Sequence, residues 1–258
     1  MKIMRTILLV SASLLLTDAM AQHLPHELGV SYNYMNPMDN MRQHIKRGHG
    51  VSLEYYLHPK HSRFAAGIEV NYNLYGRDKS RQVYTFDDNT TADADIVVYN
   101  NFSTLLLGGR YYLNQSGKFQ PYVNAKLGYA WLTTDLYIYD PSDWDQCEPI
   151  DSEILLRDGT LVSSFGAGVQ IDLSKNRPNT FLLQLQSNMM LGNNVRYMSA
   201  STPGNNHTHQ PAPPPTDEVR ARFINNQTQV VHEHHVGNVY SSLLRTLDFR
   251  LGLSFRFN

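Results

Sequence analysis

The sequence predicts an all-β protein: an eight-stranded antiparallel transmembrane β-barrel with short periplasmic turns and long extracellular loops. Three observations carry this reading. Apolar residues alternate with small or polar ones at a period of two in eight separate segments. A strand sends successive side chains to opposite faces, so each segment has one apolar row and one polar row. The connections between segments alternate strictly between long and short, and aromatic residues are sorted toward the ends of the apolar rows.

Residues 1–21 come first and stand apart. Lys2 and Arg5 precede an apolar stretch from Ile7 to Leu16, and Ala19-Met20-Ala21 offers small residues at an A-x-A cleavage site. This order is that of a secretory signal peptide, cleaved after Ala21 by the export pathway, with residues 22–258 as one barrel domain. Removing Lys2, Arg5 and Asp18 leaves 20 basic and 22 acidic residues. Such a balance supplies no excess positive charge for phosphates, which argues against a nucleic-acid partner. Cys147 is the single cysteine, so neither a disulfide framework nor a cysteine metal site is available within the chain.

The strand segments follow in order. The first has the apolar row Leu28, Val30, Tyr32 and Tyr34; the second has Val51, Leu53, Tyr55 and Leu57; the third has Phe64, Ala66, Ile68, Val70, Tyr72 and Leu74. The fourth carries Leu105, Leu107, Gly109, Tyr111 and Leu113, and the fifth Val123, Ala125, Leu127, Tyr129 and Trp131. The sixth carries Phe165, Ala167, Val169, Ile171 and Leu173. The seventh, with Leu183, Leu185 and Met189, alternates least cleanly, and the eighth runs from Leu247 through Phe249, Leu251, Leu253 and Phe255 to Phe257. Each provides the roughly 9–11 residues that a tilted strand needs to cross a bilayer.

Tight connections are expected at His58–Ser62, Asn114–Lys118 and Ser174–Asn179, where turn-forming residues cluster. Long polar loops are expected at Asn36–Gly48, Gly76–Asp95, Thr133–Gly159 and Gly192–Gly237. An even strand count places both chain ends on the short-turn side. Aromatic rings favour the two membrane–water boundaries, so their sorting reads as two girdles around an aliphatic band. A soluble β-sandwich or lipocalin-like barrel shares the alternation but turns the apolar row inward.

The opposite row explains a mean hydropathy of −0.40. It holds glycines, serines and asparagines together with Glu54, Glu69, Arg110, Lys126, Asp172, Asp248, Arg250 and Arg256. An eight-stranded barrel has an interior just wide enough for side chains to fill, and buried charges must pair. These eight residues are therefore expected to form a structural charge network that fills the lumen.

The stretch Lys118-Phe119-Gln120-Pro121-Tyr122-Val123-Asn124-Ala125-Lys126-Leu127-Gly128-Tyr129, the preceding Arg110-Tyr111-Tyr112-Leu113 and the final Leu251-Gly252-Leu253-Ser254-Phe255-Arg256-Phe257-Asn258 resemble small outer-membrane barrels. Together they are similar to the outer-membrane β-barrel domain family, of the OmpA-like and OmpX-like porin-superfamily kind and of a Bacteroidetes type. The resemblance implies a cell outer membrane location, contact with outer-membrane lipid and lipopolysaccharide, and insertion by the outer-membrane assembly machinery, which reads the last strand. Asn258 departs from the aromatic terminal residue usual in the family, though Phe257 keeps the lipid-facing row. No peptidoglycan-binding domain is expected after the barrel.

Chemistry is sparse. His207, His209, His232, His234 and His235 in the fourth long loop suggest a zinc or copper site but lack a fixed fourth ligand. Asp140, Asp143 and Asp145 lack the spacing and glycine of a calcium loop. His61-Ser62, the one tight Ser–His pair, sits at a periplasmic turn, the wrong end for outer-leaflet lipid. Thr216-Asp217-Glu218 before Val219–Ile224 suggests a capped short helix. The expected function is a non-enzymatic barrel without cofactor, bearing surface loops for structural, adhesion or partner-binding roles; the alternative is a small or gated channel. The chain should fractionate with the outer membrane and migrate heat-modifiably on a gel. Recovery as a soluble periplasmic protein would overturn the fold reading.

Overall fold

A sheet that crosses a bilayer must leave no open edge, because hydrocarbon offers nothing to an unpaired N–H or C=O. The computed structural model describes residues 24–59, 62–85, 91–115, 117–140, 148–174, 180–199, 215–224 and 231–257. Within these lie β1 (His26–Pro37), α1 (Met41–His44), β2 (Gly48–Leu57), β3 (Phe64–Thr85), β4 (Thr91–Tyr112) and β5 (Phe119–Tyr139). They are followed by β6 (Asp151–Asp172), β7 (Thr180–Ser199), β8 (Asp217–Ile224) and β9 (Val231–Phe257). Sequential neighbours from β1 to β7 pair antiparallel, β7 pairs with β9, and β9 closes on β1 from His26↔Phe257 to Pro37↔Thr246. The result is a closed eight-stranded antiparallel barrel. The additional strand, β8, pairs only with the outer part of β9, from Asp217↔Val239 to Ile224↔Val231, beyond the point where β1 has left that edge.

The apolar rows face outward. Leu127 is 67% exposed and Leu107 62%, whereas Lys126 beside Leu127 is 2% exposed and Leu106 beside Leu107 is 0%. A soluble barrel would invert this order, so the alternation belongs to a lipid-facing wall. Phe64, Tyr111, Phe119 and Phe181 are exposed at the short-turn end, and Tyr32, Tyr72 and Tyr129 toward the other. Small inward residues let neighbouring strands carry large ones. A Cβ on Gly128 would lie 1.9 Å from the Leu105 carbonyl oxygen, so no other residue fits there without moving the ladder.

The extracellular side differs from the sequence expectation. Gly76–Asp95 is not a loop: β3 and β4 continue as a ladder to Thr85↔Thr91 after a bulge at Leu74/Gly76. Likewise β5 reaches Tyr139 and β6 begins at Asp151, replacing most of the expected Thr133–Gly159 loop. Within Gly192–Gly237, β7 runs to Ser199 and β9 starts at Val231. The expected helix over Val219–Ile224 is strand β8, whose Val219, Ala221 and Phe223 alternate at a period of two. Past the membrane both strand faces meet water or packed side chains, so runs such as Ile96-Val97-Val98 and Arg77-Asp78-Lys79 show no apolar–polar alternation.

The first connection departs most. After β1, Asp39 adopts φ 51°, a left-handed turn that aspartate tolerates better than most residues. The chain then turns back as α1, which buries Met41 and Ile45 (1% and 2% exposed) inside the barrel mouth. The expected signal peptide, His207, His209, Asp143, Asp145, Cys147 and His61 lie outside the described residues. Leu107→Arg, which places a charge on the lipid face, should lower the unfolding free energy in liposomes by about 2–4 kcal/mol. Urea titration of tryptophan fluorescence checks this, and an unchanged midpoint would contradict the lipid-facing assignment.

Candidate functional site

Alternation places one residue in two inside the barrel, and the inward rows sort by depth into three layers. The innermost layer, at the short-turn end, is built around Glu27 and Arg110. Arg110 Nη1 donates to Glu27 Oε1 at 3.0 Å, and its Nη2 donates to Glu54 Oε2 at 2.6 Å. All three side chains are essentially inaccessible to water. The guanidinium lies over the Tyr56 ring at 3.8 Å and the Tyr122 ring at 4.9 Å, so aromatic faces complete its shell. Arg256 donates to Glu27 Oε2 through Nε at 3.0 Å and Nη2 at 2.8 Å. His58 Nε2 lies 3.0 Å from the same oxygen. Gln170 connects this group to Tyr112, whose hydroxyl donates to Gln170 Oε1 at 3.0 Å.

The middle layer centres on Glu69. Lys126 Nζ and Arg250 Nη1 both contact its carboxylate, one on each oxygen. Asn71 Nδ2 donates to Glu69 Oε1 at 2.9 Å and to Thr104 Oγ1 at 2.6 Å. Asp248 is buried two residues from Arg250 on the same inward row of β9, and its Oδ1 has no hydrogen-bond partner. Asp172 belongs to neither layer: at the end of β6 it accepts the Ser174 N–H at 2.7 Å and closes the turn. The structure therefore brings Glu54, Arg110 and Arg256 into one group and Glu69, Lys126 and Arg250 into another. It buries Asp248 beside the second group and leaves Asp172 at the rim.

The outer layer is apolar. Phe102, Leu106, Leu132, Met190 and Leu244 point inward and pack with Met35, Tyr197 and Tyr240. Met41 of α1 and Ile45, the extended residue that follows it, fill the space among them. The His44 ring stacks on Tyr240 with centroids 3.6 Å apart, and burial lowers its pKa from the ordinary value. Ser199 Oγ donates to the His44 carbonyl at 3.1 Å, and Arg245 Nη1 reaches Asp39 Oδ2 at 2.8 Å in an exposed pair.

The strand extensions carry their own polar groups. Arg81 Nε donates to Asp95 Oδ1 at 2.9 Å and Lys79 Nζ lies 2.8 Å from Oδ2. These cations hold the Asp95 carboxyl well below the usual carboxylate range. Arg77 lies over the Tyr99 ring at 5.4 Å, and Tyr99 meets Tyr137 edge-on. His232, His234 and His235 lie on the backbone of β9 rather than in a loop. Among the described residues no three metal-ligating side chains converge. Ser62 Oγ accepts the Phe64 N–H at 3.0 Å, a turn contact.

Sequence reasoning missed Glu27, the hub of the inner layer. The signal was present, since Glu27 shares parity with Gly29, Ser31 and Asn33 on β1. It also missed the apolar layer, which is written in the runs Leu105-Leu106-Leu107 and Met189-Met190-Leu191, apolar on both faces. Arg110→Gln should destabilise the barrel by about 3–5 kcal/mol, the cost of leaving buried carboxylates without their cation. Glu27→Gln combined with Glu54→Gln in the same chain should recover part of that loss. Urea unfolding of the single and combined variants checks the coupling, and strictly additive effects would contradict it.

Residues 7–212 match the family model of the outer membrane protein beta-barrel domain. No curated protein matches the chain in sequence. Among solved structures, the chain is similar to Ail, the attachment invasion locus protein of Yersinia pestis, at 12% identity and a TM-score of 0.41. That likeness covers 91% of this chain and 99% of that one. It is also similar to a major outer membrane protein from Thermus thermophilus, at 11% identity and a TM-score of 0.41, over 91% and 100% of the two chains. Neisserial surface protein A is similar at 7% identity and a TM-score of 0.35, over 91% and 96%.

Proposed function

This chain belongs to the outer membrane protein beta-barrel domain family, and on that premise we propose that it is a non-enzymatic barrel whose inner lumen is plugged by its own charges. Membership of the family places it in the outer membrane as an integral β-barrel protein. The observation that carries the rest of the proposal is the pair of buried ion groups, Arg110 with Glu27 and Glu54, and Glu69 with Lys126 and Arg250. Opposite charges in contact across the barrel occupy the cross-section that a diffusing ion would need. The network has a structural role: it fixes the inward rows of β1, β2, β3, β4, β5 and β9 against one another.

The outward business of the molecule then falls to its prolonged strands. From Tyr72 to Thr85, β3 continues for thirteen residues, about 40 Å of chain at roughly 3.3 Å per residue. A rigid platform beyond the membrane suits structural, adhesion or partner-binding roles better than a diffusion pore. Outer-membrane lipid and lipopolysaccharide surround the wall, the assembly machinery inserts it, and the leader ending at Ala21 directs export. A small or gated channel is the second reading, and the apolar outer layer stoppered by α1 is what favours it.

Conductance separates the two readings. In planar bilayers the purified barrel should show no ohmic current, while Arg110→Ala combined with Lys126→Ala should admit small, noisy openings. A steady conductance from the unmodified protein would overturn the plugged-barrel proposal.

A further inference from the structure

The outer layer of the lumen is unusual in what it holds. Phe102 is 1% exposed, Met190 1% and Leu244 1%, all on inward rows toward the outer end of the lumen. An apolar surface of that kind needs a cover, and the cover is a four-residue helix with the residue that follows it. Met41 and Ile45 supply it, as about eight non-hydrogen atoms in all. Besides the burial of these two side chains, the helix is held by the His44 ring stacked on Tyr240, by the Met38 N–H donated to the Arg245 carbonyl at 2.9 Å, by an exposed Arg245–Asp39 pair and by one hydrogen bond from Ser199. Exposed ion pairs contribute at most about 1 kcal/mol.

The wall beside this layer is also incomplete. The β5–β6 ladder continues outward to Ile138↔Asp151 and the β7–β9 ladder to Ser199↔Asn238. The β6–β7 ladder stops much lower, at Val162↔Gly192. That point is level with the outer aromatic girdle, since Tyr129 pairs with Leu161 and Trp131 with Gly159. Above it, β6 and β7 are joined by side chains. Asp158 Oδ2 accepts the Arg196 N–H at 2.7 Å, and Leu155 and Leu156 pack against the cluster of Ile96, Val98, Leu136 and Met198. Val162 and Val195, one on each side of the gap, both belong to the apolar layer.

We propose that the apolar outer lumen is a binding site for a small uncharged hydrophobic molecule. The molecule enters from the outer leaflet through the β6–β7 seam and takes the place of Met41 and Ile45. The class follows from three features. The lining is apolar, the space released is that of two aliphatic side chains, and the inner end of the seam meets the outer girdle, beside Leu161 (69% exposed). A charged headgroup has no counter-ion in this layer. The inference goes beyond the plugged barrel and stands whether or not the inner layers conduct, so the current measurement above and the binding measurement below fail separately.

The test uses the methionine methyl groups as reporters, with naphthalene as the probe and the full mature chain in lipid nanodiscs. Met41, Met35 and Met190 lie in the site, and Met189 faces lipid as an internal control. On titration, the Met41 methyl resonance should move saturably toward its water-exposed position, with Met35 and Met190 shifting in step. Met189 should change only linearly, as the probe partitions into lipid. Removing the stopper with Met41→Ser and Ile45→Ser should tighten binding at Met190 by about tenfold, because the site is then always vacant. A seam disulfide from Asp158→Cys and Arg196→Cys in a Cys147→Ser background should slow exchange of the probe at least tenfold, with reversal by reductant. Heat-modifiable migration verifies that each variant is folded. A linear response shared by Met41 and Met189, or an affinity indifferent to the stopper, would overturn the site. Exchange unchanged by the disulfide would overturn the seam as its entrance.

Discussion

Backbone hydrogen bonding in hydrocarbon is the constraint from which the structure follows. Each peptide group in the span must find its partner in a neighbouring strand, and the set is complete only when the last strand meets the first. The β9–β1 ladder from His26↔Phe257 to Pro37↔Thr246 supplies that meeting. Closure also fixes what each side chain does. Once the sheet is a cylinder, one row of each strand belongs to lipid and the other to a narrow lumen, and a slip of one residue would exchange them.

The lumen is where closure becomes expensive. A space filled by side chains offers charges little water, so each must be neutralised by contact. Arg110 meets this with two carboxylates and two aromatic faces, and Glu69 with two cations. Toward the outside the same space is filled by apolar side chains, where no pairing is needed but a cover against water is. The two halves solve one packing problem with different chemistry: ion pairs at the inner end and a folded-back helix at the outer end. Only the outer solution relies on a short helix folded back from a connection, and it lies beside the seam where the β6–β7 ladder ends at Val162↔Gly192.

Much of this is legible in the residues alone. Leu105, Leu107 and Tyr111 announce a lipid-facing row because lipid selects apolar residues at every second position. Arg110 and Lys126 announce a polar interior because charge on the opposite row has nowhere else to go. Legibility ends where that selection ends. Beyond the girdle neither face of β3 and β4 is held to lipid, so Arg77–Arg81 reads as loop although its backbone stays in the ladder to Thr85. Glu27 escapes notice at the very start of its strand, where too few alternations precede it to make parity obvious. The expected helix at Val219–Ile224 gives way to a competing period-two pattern that a free edge of β9 is available to pair.

By itself the sequence determined the eight strands that close the barrel, which connections are short turns, and which row of each strand meets lipid, because these depend only on local alternation and turn chemistry. Tertiary structure alone decided which charges meet, that Asp172 closes a turn while Glu27 becomes a hub, and that α1 folds inward to fill the mouth. Those outcomes depend on the shear and diameter of the closed barrel, which set which residues from distant strands stand at the same depth. Arg110 and Glu27 are 83 residues apart in sequence and 3.0 Å apart in space. No periodicity within a strand encodes that distance; ring closure does.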